Sequence, residues 1–293
     1  MPRRDEPARI RRIRAQNPSP LTHTGTNSYI LGSGRVAVID PGPMDESHLQ
    51  ALLAALEPGE QISHILVTHP HRDHSALAPL LAARTGAPIL AHGRAEEGRT
   101  EIMTRLAASG LISAGGDGLD MGFAPDVRLQ HGDQIEGTDW CVTVHHTPGH
   151  LGTHLCYALE DTLFSGDHVM GWSTSVVIPP DGDMGAYRAS LAALATGTWS
   201  SFLPGHGEAV EKPAERLAEL IAHRQMREDQ ILTAMIEGPS TVDDLTARVY
   251  PSLSPSLVHA ARQNVLAHLL DLMAKNRVTA ADPTLPMALF QLI

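Results

Sequence analysis

The sequence predicts an α/β protein with a small helical module at its C-terminus, and three observations predict it. Short apolar runs alternate with helical leucine stripes from Tyr29 onward, the texture turns β-rich across Val127–Ser165, and beyond about residue 211 glycine nearly vanishes while helical patterns dominate. At 293 residues the chain exceeds one ordinary domain, which fits one large domain with an appendage. The expected organisation is a basic, flexible tail over 1–14, a catalytic domain over 15–210 and a small domain over 211–293.

Tyr29–Leu31 and Val36–Asp40 are apolar runs separated by Gly32-Ser33-Gly34, so they should pair as a hairpin that stops at Asp40-Pro41-Gly42-Pro43. Leu49, Leu52, Leu53 and Leu56 recur at helical spacing, and Ile62, Ile65, Leu66 and Val67 form a strand ending at Thr68-His69-Pro70. A helix through Leu77, Leu80 and Leu81, a strand at Pro88–Ala91 and a helix over Glu97–Leu111 follow, the last running into the glycine-rich Gly110–Gly118. In the β-rich half the clearest strand is Trp140–His145, with Trp140, Val142 and Val144 on one face. Met184, Tyr187, Leu191 and Leu194 make one helical stripe, and Ser201–Leu203 a last short strand before Pro204-Gly205-His206-Gly207. Helices are then expected over 213–236, 241–249 and 255–275, with a hairpin within 277–291, which together suggest a winged-helix-like unit.

Composition narrows the function. There are 22 Lys+Arg against 33 Asp+Glu, a net charge of −11, and aromatic residues are only 4%, poor material for stacking on bases. Six arginines against two acids make residues 1–14 basic, which reads as a solvated tail. The C-terminal module carries eight Lys/Arg and ten Asp/Glu, so packing or dimerisation, and hence a homodimer, is favoured over reading a duplex. Cys141 and Cys156 form no metal or multi-bridge pattern and read as small core residues; this usage and the lack of a secretory signal predict a cytoplasmic protein with no membrane partner. The anomaly is 17 histidines.

Thr68-His69-Pro70-His71-Arg72-Asp73-His74, between an apolar strand and a helix, places three imidazoles and a carboxylate in one loop. His69 and His71 should project to one side, while Asp73 and His74 turn toward a second point, so one loop could serve two metals. His150, Asp167 and His206 are further potential ligands at strand ends, each next to a glycine that lets the chain turn sharply.

Taken together, these residues resemble the metallo-β-lactamase-fold hydrolase superfamily over roughly residues 20–210: HxHxDH, a later His, an Asp and a final His stand in order. The resemblance implies an αββα sandwich in which His69, His71 and His150 hold one metal, Asp73, His74 and His206 the other, and Asp167 bridges them. Asp40 matches an early Asp that supports the metal loop without ligating. The Asn27-Ser28-Tyr29 segment, Pro204-Gly205-His206-Gly207 and the C-terminal extension look most like the lactamase-β-2-like subgroup, which combines this fold with a winged-helix-like tail. Some of its members cleave single-stranded RNA. The Asp at position 167 departs from most true β-lactamases, so antibiotic hydrolysis should be at most a side activity.

The expected reaction is hydrolysis by a hydroxide bridging two Zn2+ ions, with Fe or Mn as substitutes, attacking an ester, thioester or lactone carbonyl of a small acyl substrate. Asp73 and His74 are the catalytic candidates, Asp73 also as acceptor of the hydroxide proton. The alternatives are an endoribonuclease, which the shortage of clustered cations disfavours, and a metal-binding interaction protein without catalysis. His154, His168 and Trp172 are candidates for supporting or substrate contacts, Trp172 because Val169–Asp183 should line the pocket mouth. His23, His48, His64, His92, His131, His145, His223, His259 and His268 are expected at the surface or in caps, outside the site.

Overall fold

A computed structural model of the chain describes residues 9–109, 118–252, 258–285 and 287–293. Six strands, β1 (Ile10–Arg14), β2 (Asn27–Leu31), β3 (Arg35–Ile39), β4 (Gln61–Leu66), β5 (Ile89–Ala91) and β6 (Val127–Arg128), lie in sequence order in one sheet. β1, β2 and β3 pair antiparallel and β3 to β6 parallel, the crossovers using α1 (Glu46–Ala54) and α3 (Ala78–Thr85). The second sheet comprises β7 (Gln134–Glu136), β8 (Cys141–His146), β9 (Leu155–Leu159), β10 (Thr162–Gly166) and β11 (Ser201–Pro204), in the order β11-β10-β9-β8-β7.

Strand alternation explains how these sheets stack. Tyr29, Leu31, Ala37 and Ile39 face the other sheet, where Trp140, Val142, Val144, Leu155, Tyr157 and Phe164 meet them. The alternate residues of the same strands, Ile30, Val36 and Val38, pack outward under Leu49, Leu52, Leu77 and Leu81 of the helical layer. Burying each such leucine contributes about 1.5–3 kcal/mol, enough for the stripe of α1 to fix its docking. On the far side, Cys156, Ala158 and Leu163 are covered by Met184, Tyr187 and Leu191 of α5 (Met184–Leu194) and by Leu217 and Leu220 of α6 (Pro213–Ala234). The result is a four-layer αββα sandwich.

The 22-residue α6 leaves that layer and ends in the C-terminal module, where Ile231 joins Leu245 of α7 (Val242–Val249), Leu269 and Leu272 of α8 (Val258–Ala274), and Phe290. A reciprocal capping box between Thr241 and Asp244 starts α7. A short hairpin closes the module: β12 (Val278–Thr279) pairs with β13 (Gln291–Leu292), a return strand one residue beyond the span expected from sequence. No helix among the described residues is long and apolar enough to cross a membrane.

Three expectations are corrected. The tail expected over 1–14 ends earlier, because Ile10–Arg14 is a paired strand, with Arg9, Arg11 and Arg12 held by Glu57, Glu60 and Glu208; residues 1–8 lie outside the described part. The helix expected from Glu97 starts at Glu101 as α4 (Glu101–Ser109), because left-handed Gly98 packs back to back against Gly152, where a Cβ would come 2.7 Å from the Gly152 carbonyl oxygen. Its expected end at Leu111, residues 110–117 of the glycine-rich run, and the first residues of the helix expected over 255–275 lie outside the described residues. Cys141 is exposed rather than a core residue, while Cys156 is buried.

Candidate metal centre

Every histidine and aspartate singled out along the chain as a ligand candidate lies beyond the C-terminal end of a strand. His69 and His71 follow β4, and α2 (Arg72–Ser75) turns Asp73 and His74 back toward them. His150 follows β8 through Thr147-Pro148-Gly149, Asp167 follows β10, and His206 follows β11. Gly166 is left-handed at φ 49° and turns the chain into Asp167. Gly205 is needed for room: a Cβ there would stand 2.5 Å from His74 Cε1 and 2.6 Å from Asp167 Oδ1.

The structure brings all seven side chains together in three overlapping groups, His69/His71/His150, His69/His74/Asp167 and Asp73/His74/His206, each with its donor atoms within 4.8 Å of one another. In the first, His71 Nδ1 is 2.9 Å from His69 Nε2 and 3.0 Å from His150 Nε2. In the last, His74 Nε2 is 3.3 Å from His206 Nε2, and Asp73 Oδ2 is 3.2 Å from His206 Nε2 and 3.4 Å from His74 Nε2. Asp167 stands between them. Its Oδ2 lies 4.0 Å from His69 Nε2, 3.9 Å from His150 Nε2 and 3.4 Å from His206 Nε2, and its Oδ1 is 3.5 Å from His74 Nε2.

The outward-facing nitrogens fix the ring orientations. His150 Nδ1–H donates to the Val176 carbonyl at 2.6 Å and His206 Nδ1–H to the Gly25 carbonyl at 3.3 Å, partners that can only accept. His74 Nδ1–H donates to Asp40 Oδ2 at 2.9 Å. Thr68 Oγ1 donates to the same oxygen at 2.7 Å and so accepts from His69 Nδ1–H at 2.9 Å. Four imidazoles therefore turn Nε2 inward. Nitrogen lone pairs facing one another at these separations repel unless a cation or a proton lies between them, and the buried Asp167 Oδ1 has no hydrogen-bond partner among the described residues. An all-nitrogen-and-oxygen donor set of this kind fits Zn2+, Fe or Mn.

Electrostatics divide the cluster into two halves. Burial, with the neighbouring His150 adding to it, pushes His71 down to about 3, and burial likewise lowers His69 and His150, so this half is neutral. In the other half burial opposes charge but loses: Asp167 and Asp73 push His206 up to about 9, Asp73, Asp167 and Asp40 hold His74 well above its usual range, and the two imidazoles hold both aspartates well below theirs.

Asp40, at φ 49°, takes Thr68 N–H on Oδ1 at 2.7 Å and the Thr68 hydroxyl and His74 on Oδ2, so one carboxylate orients two of the inward histidines. His154 is buried and its Nε2 accepts the backbone N–H of Asp167 at 3.2 Å, which supports that residue and removes it from substrate reach. His168 is buried against the Tyr187 ring, away from solvent. Trp172 stands at the rim, stacked on His23 at 4.8 Å, with its indole N–H donating to the His206 carbonyl at 3.2 Å. His48 and His268, expected at the surface or in caps, are buried; His48 Nε2 sits 2.8 Å from Ser28 Oγ. Sequence reasoning missed Thr68 as the link between His69 and Asp40, and Thr26, whose hydroxyl donates to Asp73 Oδ2 at 3.3 Å. Thr68 adjoins the motif and was findable; the carbonyls of Gly25 and Val176 carry no residue-type signal.

Two stacked sheets with a histidine and aspartate cluster at their strand ends form a candidate metal centre, and together with the family match below they make the chain a metal-dependent hydrolase. A family profile described as the metallo-beta-lactamase superfamily matches residues 21–206, and one described as a beta-lactamase associated winged helix domain matches residues 241–283. The chain belongs to the metallo-beta-lactamase superfamily and ends in that winged-helix domain. It is 32% identical over 278 residues to a beta-lactamase-like protein 2 homolog of Drosophila melanogaster, covering 91% of this chain and 88% of that protein. An atrochrysone carboxyl ACP thioesterase of Claviceps purpurea is 28% identical over 258 residues, covering 83% and 72%. The fold superposes on a metallo-beta-lactamase family protein of Thermus thermophilus with a TM-score of 0.75 at 23% identity, covering 97% and 98%.

Proposed function

We propose that the centre holds two zinc ions and hydrolyses an ester, thioester or lactone carbonyl of a small acyl substrate. The observation that carries this reading is the position of Asp167, with its carboxylate within 4.0 Å of a nitrogen from each half of the cluster. His69, His71 and His150 would hold one ion, Asp73, His74 and His206 the other, and Asp167 both. When bound, such a pair supplies Lewis acidity and brings the ionisation of water toward neutral pH.

The chain's own residues do the remainder. Of the two carboxylates Asp73 is the more open, its side chain 27% exposed against 11% for Asp167, and it is the one that accepts a proton from an attacking water, Thr26 holding its Oδ2 in place. His74 stays oriented through Asp40. Trp172 and Val176, both partly exposed, present apolar surface beside His206 and His150, where an acyl group would pack. A neutral acyl substrate suits a protein of charge −11, whereas an RNA backbone does not. The thioesterase among the relatives supports a thioester within this substrate class.

Metal analysis of the purified protein, followed by a panel of p-nitrophenyl esters, an acyl thioester, homoserine lactones, nitrocefin and a fluorogenic single-stranded RNA, tests this reading. The expected result is two zinc equivalents and turnover of an acyl substrate, abolished by chelation and restored by Zn2+. Turnover confined to RNA and falling steeply with salt would refute the substrate class, and turnover that survives complete metal removal would refute the centre.

A further inference from the structure

Residues 170–176 follow Asp167 without regular secondary structure, so no strand or helix ladder satisfies their carbonyls. Three of those carbonyls are taken up by α6. Arg216 Nε donates to the Met170 carbonyl at 2.8 Å and another nitrogen of the same guanidinium to that of Ser173 at 2.7 Å, while Arg224 donates to that of Ser175 at 2.5 Å. The next carbonyl, Val176, is the one that orients His150, and Trp172 in the middle of the segment is tied to the carbonyl of His206.

We infer that Arg216 and Arg224 are positioning residues for the metal centre, acting through the 170–176 segment to hold the ring of His150. This rests on the reading of the seven-residue cluster as a metal centre, and it gives the C-terminal extension a part in that centre. A planar guanidinium is well shaped for this role, because its N–H groups lie in a fixed fork and one side chain pins two carbonyls at a set separation, which an ammonium cannot do. Arg224 is itself held in place, 2% exposed, with another nitrogen donating to Asn264 Oδ1 at 3.0 Å in α8 and its guanidinium 5.1 Å from the Tyr187 ring of α5. Arg224 thus joins the C-terminal module to the catalytic layer at the point where the segment passes His150.

The experiment compares the full-length protein with Arg216→Gln, Arg224→Gln, Arg216→Lys and Arg227→Gln. Arg227 lies on α6 over the Tyr250 ring and donates to Gln230 on the same helix, and it serves as a control for disturbing the helix. Zinc affinity is read by competition with a chromophoric chelator, the ligand field by the absorption spectrum of the Co2+-loaded protein, and folding by thermal unfolding of the metal-free protein. Replacing outer partners of metal ligands weakens binding by about 10–100-fold, so Arg216→Gln and Arg224→Gln should bind one of the two zinc equivalents about tenfold more weakly and shift the Co2+ spectrum. Arg216→Lys should recover part of the loss and Arg227→Gln should match the wild type. If Arg224→Gln does not fold, Arg216→Gln decides, since its side chain is partly exposed and its loss leaves little buried charge to compensate. Wild-type zinc affinity and an unchanged Co2+ spectrum in Arg216→Gln would overturn the inference, whatever happens to its unfolding temperature. A wild-type protein that takes up neither zinc nor cobalt would instead remove the metal centre on which it rests.

Discussion

Replacing Asp40 by Asn tests whether one carboxylate orients the cluster. The change removes one acceptor and adds two donors in a site that is 2% exposed, and Asn tolerates the left-handed backbone at this position, so the fold itself is not strained. Three donors converge on the carboxylate: Thr68 N–H, the Thr68 hydroxyl and His74 Nδ1–H. If the amide oxygen keeps Thr68 Oγ1 and His74, the new NH2 confronts Thr68 N–H, and a buried donor left unmade costs about 1–3 kcal/mol. If the amide turns over, its NH2 confronts His74 Nδ1, whose proton must move to Nε2, the atom 3.4 Å from Asp73 Oδ2. Either outcome should weaken zinc binding by about 10–100-fold, in line with an energy of about 1–3 kcal/mol, since about 1.4 kcal/mol is tenfold. The assay is chelator competition at neutral pH, with thermal unfolding of the metal-free protein alongside it. An Asp40→Asn variant that binds zinc as tightly as the wild type would refute the account of how His69 and His74 are oriented.

Asp167→Ala and His71→Ala should each lose metal and turnover together, as measured by metal analysis and acyl hydrolysis on the same preparation; full activity without measurable metal would contradict the mechanism. Gly205→Ala forces a methyl to within 2.5 Å of His74 Cε1, and a displacement near 1 Å at a reacting centre costs about 100-fold, so kcat/KM should fall by about that factor. In the metal-free protein, His206 is raised from its ordinary 6.5 to about 9, so its contribution to stability is complete below 6.5 and is lost as pH rises through 9. Unfolding temperatures measured in chelator should therefore decline between pH 6.5 and 9, and His206→Asn should flatten that decline. Trp172→Ala should raise KM for apolar acyl substrates about tenfold, which corresponds to losing about 55 Å2 of ring contact at about 25 cal/mol per Å2, with little change in kcat.

The ligand candidates were legible because binding a cation demands particular side chains, and strand ends flanked by glycine announce where a chain can present them. The alternation of Tyr29, Leu31, Ala37 and Ile39 with Ile30, Val36 and Val38 likewise announces a sheet covered on both faces. What orients the ligands was legible only in part. Asp40 stands beside a turn motif, but the acceptors on Gly25 and Val176 are backbone carbonyls that every residue type offers, and their positions follow from tertiary packing. Arg216 and Arg224 sit on an ordinary amphipathic helix, where nothing local distinguishes them from solvated charges. His48 was misplaced for the same reason: its partner Ser28 is twenty residues away and in another element. The arginines of Ile10–Arg14 looked like a tail because their acidic partners, Glu60 and Glu208, are remote in sequence.

That N-terminal strand has a further consequence. Among the described residues β1 is one rim of the six-stranded sheet, and the guanidinium groups of Arg9 just before it and of Arg11 and Arg12 along it, anchored to Glu57, Glu60 and Glu208, make that rim hard for another polypeptide to pair with. Deleting it would uncover β2, whose five residues are all buried and uncharged, as the new border. Molecules shortened at that end should therefore self-associate through naked main-chain groups long before their fold is lost.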